Sequence, residues 1–234
     1  MANTIQTSVN WALGFLGYAT PTIGPNNEPA ITSANMVQQV MMGPPFRFPW
    51  NRNTLNFSTI AGTQDYTQNV TDFGYLETAQ LSTGTKTYPL QVKNVTPLGE
   101  SVDQQVPNTV GVQLNTVGTS VQLRFLGVPD AIYTATIWYQ KFPALLSTLA
   151  SAWVVPDYMS YIYNRGFVAF CLEAMGDPRA QQHKVAFAAS LLSTAEGLTE
   201  SEKNIFLEQY LLNPRSTEIM QLKVQQGIQA RGSL

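Results

Sequence analysis

Few side chains in this sequence could do acid–base, nucleophilic or metal chemistry. The 234 residues include one histidine, His183, and one cysteine, Cys171. A single histidine excludes a metal site with two histidine ligands, and its polar neighbours on a predicted helix indicate a solvated surface residue. Cys171 stands between Phe170 and Leu172. A reactive thiol needs accessible, electropositive surroundings, so we predict a small, buried and inert residue.

The motifs that mark common active sites are also missing. The sequence contains no G-x-S-x-G, G-x-G-x-x-G, Walker A or H-E-x-x-H pattern. Glu200 and Glu202 form a carboxylate pair, but with Thr199 they have the spacing of a helix capping box. We therefore predict a protein that is not an enzyme and uses no cofactor and no metal ion. An enzyme whose carboxylates meet only in the folded cleft stays open as an alternative.

Charged residues are scarce. They make up 12% of the chain, about half of the roughly 25% that is typical of soluble proteins. Glu28 is the one charged side chain between Met1 and Phe46. A surface so poor in charge loses little on dehydration, which predicts extensive contacts between subunits. The alternative is a pair of helices buried within one domain.

The overall balance of the sequence excludes several classes of protein. A formal net charge of −2 argues against a protein that coats nucleic acid, because such proteins carry basic patches. It does not exclude a neutral ring through which DNA passes. The single cysteine allows no intrachain disulfide and fits a reducing compartment. We find no secretory signal and no apolar run long enough to span a membrane.

The pattern of apolar residues predicts helices at both ends of the chain and strands between them. The predicted helices cover residues 5–16, 29–42, 157–175, 177–195, 199–212 and 217–230. The predicted strands cover residues 56–60, 65–70, 75–81, 86–93, 121–126 and 133–139. Residues 97–109 are predicted to form an exposed loop.

These elements predict an α+β fold, with N-terminal helices packed on a C-terminal helical bundle and an antiparallel β-region inserted between them. The predicted domains are N-terminal helices and a Pro/aromatic linker (1–53), the β insert (54–142), the helical bundle (143–213) and a C-terminal arm (214–234). The nearly all-apolar helix 157–175, which includes Tyr158 and Tyr161, is expected to lie in the core.

Two segments are candidate interaction sites. In the first, three aromatic residues stand at alternate positions beside two arginines, and we expect a contact between neighbouring subunits through Phe46, Arg47, Phe48, Trp50 and Arg52. The alternative is a rigid linker whose aromatic side chains pack on its own chain, because residues at alternate positions suit one face of an edge strand.

The second candidate is the C-terminal arm. Its apolar side chains have too few partners to fold alone, which suggests an amphipathic segment that enters a groove on another protein. The residues expected to make this contact are Ile219, Met220, Leu222, Val224 and Ile228. The alternative is a frayed tail.

Several motifs in a fixed order resemble a group of phage structural proteins. They are Gly43–Arg52 (GPPFRFPWNR), Gly62–Thr67 (GTQDYT), Asp72–Glu77 (DFGYLE), Val155–Met159 (VPDYM), Asp177–Arg179 (DPR) and Ala195–Lys203 (AEGLTESEK). In layout the chain also resembles the head–tail adaptor, or upper tail-tube, proteins of short-tailed phages. The resemblance spans Ala30–Leu212, and the chain departs from the better-known adaptors in its extended 97–109 loop and its final segment.

The resemblance implies a virion structural protein that assembles in the host bacterial cytoplasm as a ring of identical subunits, commonly twelve. Its partners would be the portal protein, which the C-terminal arm would bind, and a tail or nozzle protein. Genomic DNA would pass through the ring without specific binding. The alternatives are a tail-tube or other ring-forming tail component, a tail-associated enzyme, and a module that binds the host surface.

Overall fold

The structure of the protein is a computed structural model that describes residues 3–16, 25–94, 98–100, 103–116 and 118–211. The chain divides into two compact units. The helical unit comprises Met1–Met41 and Leu146–Leu234, and the β unit comprises Met42–Leu145.

The β unit is built on one seven-stranded sheet in the order β1-β7-β3-β4-β5-β6-β2. The strands are β1 Arg52–Ser58, β2 Asp65–Gln68, β3 Phe73–Ser82, β4 Thr87–Lys93, β5 Thr109–Thr116, β6 Ser120–Leu126 and β7 Thr134–Lys141. Neighbouring strands are antiparallel except for β4 and β5, which are parallel. A hairpin joins β3 to β4: Ser82 pairs with Thr87, and Gly84 in the turn has a φ of 89°.

The sheet curls into a half-barrel. Its outermost strands are β1 and β2, yet the rings of Phe57 on β1 and Tyr66 on β2 lie 5.2 Å apart. Both rings also contact Phe125 of β6. Alternation along β6 places Val121, Leu123 and Phe125 in the core, as the period-two pattern predicts. Aromatic packing therefore joins the two edges of the sheet across the concave side.

The predicted fold class is wrong. A helical protein with an antiparallel β insert was expected, but the sheet is mixed and its strands make up much of the core, while three of the five described helices follow it. The error lies at β5, which no strand prediction covered. Gln91 and Val92 of β4 pair in parallel with Thr109 and Val110 of β5. The long connection between β4 and β5 permits a parallel pairing that a tight hairpin cannot make.

The connection itself is less exposed than expected. Leu98 is 6% exposed, and a Cβ on Gly111 of β5 would lie 2.9 Å from Leu98 Cγ. The Leu98 carbonyl accepts hydrogen bonds from Gln113 Nε2 at 2.6 Å and from Arg124 at 3.1 Å. Part of the predicted exposed loop is thus packed on the sheet, and a small residue at position 111 leaves room for it.

The helical unit contains α1 Ile5–Leu16, α2 Ala30–Met42, α3 Ser160–Ala174, α4 Ala180–Thr194 and α5 Glu200–Leu211. Trp153 links α1 to α3, since its ring stacks on Tyr163 at 4.5 Å and its Nε1–H donates to Ser8 Oγ at 2.9 Å. The α3 and α4 helices approach closely at Gly166, where a Cβ would lie 2.8 Å from the Phe187 ring.

The sequence signals for the beginnings and ends of helices can be compared with the structure. The capping box is confirmed, because Thr199 N–H donates to Glu202 Oε2 at 2.9 Å and Glu202 N–H donates to Thr199 Oγ1 at 3.2 Å. Gly176, after the end of α3, takes the left-handed conformation, with a φ of 69°. The carboxylate of Asp157 accepts hydrogen bonds from Asn3 and does not cap a helix. A short 3-10 turn, Asp157–Met159, precedes α3.

Candidate functional site

The residues with the most reactive side chains lie where little chemistry is possible. Cys171 is 1% exposed, and burial raises the pKa of its thiol to about 12. This confirms the prediction that Cys171 is buried, and the raised pKa disfavours the reactive thiolate. Among the described residues, no group of three or more His, Cys, Asp and Glu side chains is placed to hold a metal ion.

The aromatic segment at residues 46–52 packs on the β unit. Phe46 and Phe48 are 0% and 6% exposed, and the Phe48 ring stacks between Phe46 at 6.1 Å and Trp50 at 5.3 Å. The Phe48 N–H donates to Gln140 Oε1 at 3.2 Å. The two phenylalanine side chains therefore pack within their own chain, as expected if the segment is a rigid linker. The subunit contact through Arg47, the partly exposed Trp50 and Arg52 stays a prediction.

Arg52 belongs to a polar cluster beside this segment. Its guanidinium binds both carboxylate oxygens of Glu77, with Nε donating to Oε2 at 2.9 Å, and Gln140 Nε2 donates to the same oxygen at 2.7 Å. Desolvation by itself would raise the pKa of Glu77, but the hydrogen bonds from Arg52 and Gln140 outweigh it and lower the pKa below 4.5. Arg52 is thus tied to its own chain.

This cluster predicts a pH dependence of stability. The stabilisation from Glu77 is complete above its ordinary pKa of 4.5 and is lost as the pH falls from there through the lower pKa of the folded state. We expect Glu77→Gln to reduce the acid-induced drop in the urea midpoint of the β unit. Asp103→Asn, at an exposed carboxylate, is the matched control and should leave the drop unchanged. An identical pH profile for Glu77→Gln and the wild type would contradict the prediction.

A second surface, which the sequence analysis missed, lies on the helical unit. We call it the aromatic–arginine surface, and it consists of Trp11 and Phe15 on α1, Tyr161 and Arg165 on α3, and His183 on α4. Trp11 and Phe15 stack at 4.7 Å, one helical turn apart. Phe15 is 45% and Tyr161 is 54% exposed. Large aromatic rings that remain in water at a helix junction mark a surface suited to binding.

Arg165 occupies the centre of this surface. Its guanidinium carbon lies 4.7 Å from the centroid of the Tyr161 ring and 5.8 Å from that of Phe15. Its Nε is buried and has no hydrogen-bond acceptor within the described part of the chain. Contacts with two aromatic rings hold the cation in place, and no carboxylate of the described residues forms an ion pair with this planar group of hydrogen-bond donors. Arg165 is therefore positioned to receive an anionic partner.

His183 borders the surface on α4. Its ring meets Phe15 edge-on at 5.8 Å. Burial, followed by the charges of Arg165 and Arg179, lowers the pKa of His183 below 6.5. The half-buried ring adds apolar area to the surface. His183 lies on a helix, as predicted, but it is half-buried and thus less solvated than expected.

Sequence reasoning overlooked this surface because it assigned α3 to the core. Most of the helix is indeed buried, but Tyr158, just before it, is 77% exposed and Tyr161 is 54% exposed, so the core prediction is wrong for both. The usable signal was an arginine four residues after a tyrosine, the spacing that places two side chains on one helix face.

The predicted C-terminal arm, with Ile219, Met220, Leu222, Val224 and Ile228, lies outside the described residues. Within the described ranges, no helix combines the length and apolar character needed to cross a bilayer. No protein-family model matches the sequence, and no curated protein is significantly similar to it.

Proposed function

We propose that the protein is a structural subunit of a tailed-bacteriophage virion, a head–tail adaptor that forms a ring between portal and tail and continues the DNA channel. In this role it carries out no catalysis. It assembles in the cytoplasm of the host bacterium and contacts copies of itself, the portal protein above and a tail or nozzle protein below.

The aromatic–arginine surface is the observation that carries the self-assembly in this proposal. Trp, Tyr and Arg are the residues most enriched in the energetic centres of protein interfaces. Here they stand together on one surface, with Trp11 stacked on Phe15 and Arg165 beside Tyr161. The scarcity of charge supports the same reading, since charged residues are depleted at the centres of interfaces.

The position of the ring in a virion rests on different support. The ordered motifs between Gly43 and Lys203 resemble those of phage structural proteins. Of these motifs, GPPFRFPWNR forms the aromatic stack on the β unit, and AEGLTESEK contains the capping box that begins α5. Both motifs therefore stabilise the subunit itself, which is compatible with a structural protein.

Native mass spectrometry of the full chain tests the proposal, alone and mixed with the portal protein. We expect a closed ring of identical subunits, and a larger complex with the portal. Phe15→Glu places a charge among the stacked rings and should raise the apparent dissociation constant of the ring by at least about thirtyfold, the loss expected at an interface hot spot. A wild-type chain that stays monomeric with and without portal protein would refute the proposal.

Ile132→Glu is the matched control for Phe15→Glu. Ile132 is 71% exposed but belongs to the β unit, whereas the aromatic–arginine surface belongs to the helical unit. The Ile132→Glu variant should therefore leave the ring intact. Equal dissociation by the two variants would show that any added charge disrupts assembly and would remove the surface from the proposal.

A tail-tube subunit is the second candidate. The observation in its favour is a sheet whose edge strands, β1 and β2, each have one hydrogen-bonded neighbour strand, because open edges allow sheets to extend between subunits. Electron microscopy of the assembled wild-type chain separates the two candidates. Closed single rings support the adaptor, whereas long stacked tubes support the tail-tube subunit.

A further inference from the structure

Among the described residues, no carboxylate forms an ion pair with Arg165 of the aromatic–arginine surface, and the helical unit offers one on another helix. Glu208 on α5 is exposed, with no partner among the hydrogen bonds and ion pairs between described residues. Three other carboxylates of this unit form ion pairs: Glu173 with Lys184, Asp177 with Arg179, and Glu200 with Lys203.

Glu208 stands beside an exposed apolar side chain. Phe206 and Tyr210 form the buried, inner side of α5. There the Tyr210 ring contacts the rings of Phe170 and Phe187. Ile205 is 50% exposed and lies three residues before Glu208, so both side chains occupy the outer side of the helix. The outer side of α5 thus pairs one apolar group with one free carboxylate.

The α5 helix and the aromatic–arginine surface lie on different sides of α3. Phe170 of α3 faces Tyr210 of α5, with ring centroids 6.0 Å apart. Arg165 precedes Phe170 by five residues, which at 3.6 residues per turn separates them by about 140° around the helix axis. The α5 helix of one chain therefore does not cover the Arg165 of that chain.

We infer that the outer side of α5 in one subunit docks on the aromatic–arginine surface of the next. Glu208 accepts hydrogen bonds from the Arg165 guanidinium, and Ile205 contacts the exposed rings of Phe15 and Tyr161. Guanidinium and carboxylate are matched in charge and in planar geometry. The inference rests on the proposed ring and specifies which surfaces form it.

Two different surfaces of the same subunit meet in this contact. Such a head-to-tail interface repeats with every added copy and closes into a ring when the rotation between subunits permits. A contact of one surface with itself would instead end at a dimer. The docking of α5 on the next subunit thus accounts for a cyclic assembly from a single kind of interface.

A charge exchange across the interface tests this inference in the full-length chain. Arg165→Glu and Glu208→Arg should each raise the apparent dissociation constant of the ring by about tenfold to a thousandfold, because each places like charges together. The double variant restores an ion pair with reversed polarity and should return to within about tenfold of the wild type. Circular dichroism verifies that every variant is folded.

Glu196→Arg is the matched control. Glu196 is an exposed carboxylate of the same unit, in the turn before α5, and its reversal should leave assembly unchanged. A wild-type chain that forms no ring would defeat the proposed function. A wild-type ring that withstands both single reversals, or a double variant no better than the singles, would overturn the docking of α5 while leaving the ring in place.

Discussion

Trp153→Ala will lower the free energy of unfolding of the helical unit by about 3–5 kcal/mol, the cost typical of truncating a buried tryptophan. The side chain is 7% exposed, stacks on Tyr163 and meets Phe167 edge-on at 6.5 Å. Its Nε1–H also donates to the buried Ser8 hydroxyl. The change removes the main link between α1 and α3, the two helices that present most of the aromatic–arginine surface.

Urea unfolding followed by the helix signal in circular dichroism measures this loss. Trp153→Phe is the matched control: it retains an aromatic ring against Tyr163 but withdraws the hydrogen-bond donor from Ser8. We expect it to cost about 1–3 kcal/mol, the price of one unsatisfied buried polar group. A Trp153→Ala variant that unfolds at the same urea concentration as the wild type would show that Trp153 does not link these helices.

Gly166→Ala is expected to destabilise the helical unit by about 1–3 kcal/mol, as overpacking of a core usually does. An added Cβ would lie 2.8–3.0 Å from three atoms of the Phe187 ring. Phe187 is 0% exposed, so its ring has no solvent to move into and α3 must shift away from α4. A loss of stability would be informative, because helix propensity alone favours alanine over glycine by about 1 kcal/mol.

Gly14→Ala supplies the control with the opposite sign. Gly14 lies in α1, is exposed, and has no neighbouring atom within 4 Å of an added Cβ. The same substitution there should raise the free energy of unfolding by about 0.5–1 kcal/mol. Thermal unfolding tests both expectations. The thermal midpoint of Gly166→Ala should lie below that of the wild type, and that of Gly14→Ala should not. Equal stability of the two variants would mean that Phe187 yields to the extra methyl group.

Trp153→Ala and Gly166→Ala change how the aromatic–arginine surface is supported without changing the surface itself. Trp153 lies beneath α1 and α3, and Gly166 directly follows Arg165 on α3. If the proposed ring forms through this surface, assembly should weaken in proportion to the loss of helical structure in these variants. In Phe15→Glu, by contrast, assembly should be lost while the helix signal is retained.

The sequence by itself determined the features that depend on near neighbours. Thr199 and Glu202 are three residues apart, so their reciprocal hydrogen bonds need only one helical turn. Gly176 ends α3 because a left-handed residue is needed there and glycine adopts that conformation without strain. The alternation along β6 and the burial of Cys171 were likewise readable, since each follows from residues within a few positions.

Tertiary structure alone decided the features that join distant parts of the chain. β4 pairs in parallel with β5, and nothing in the local pattern of β5 specifies its neighbour. The aromatic–arginine surface also joins distant parts of the chain. Phe15 and Arg165 are 150 positions apart in the sequence, yet the Arg165 guanidinium carbon lies 5.8 Å from the centroid of the Phe15 ring. Periodicity identifies which face of a helix is apolar, but only the packing of α1 against α3 decides which aromatic side chains stay in water.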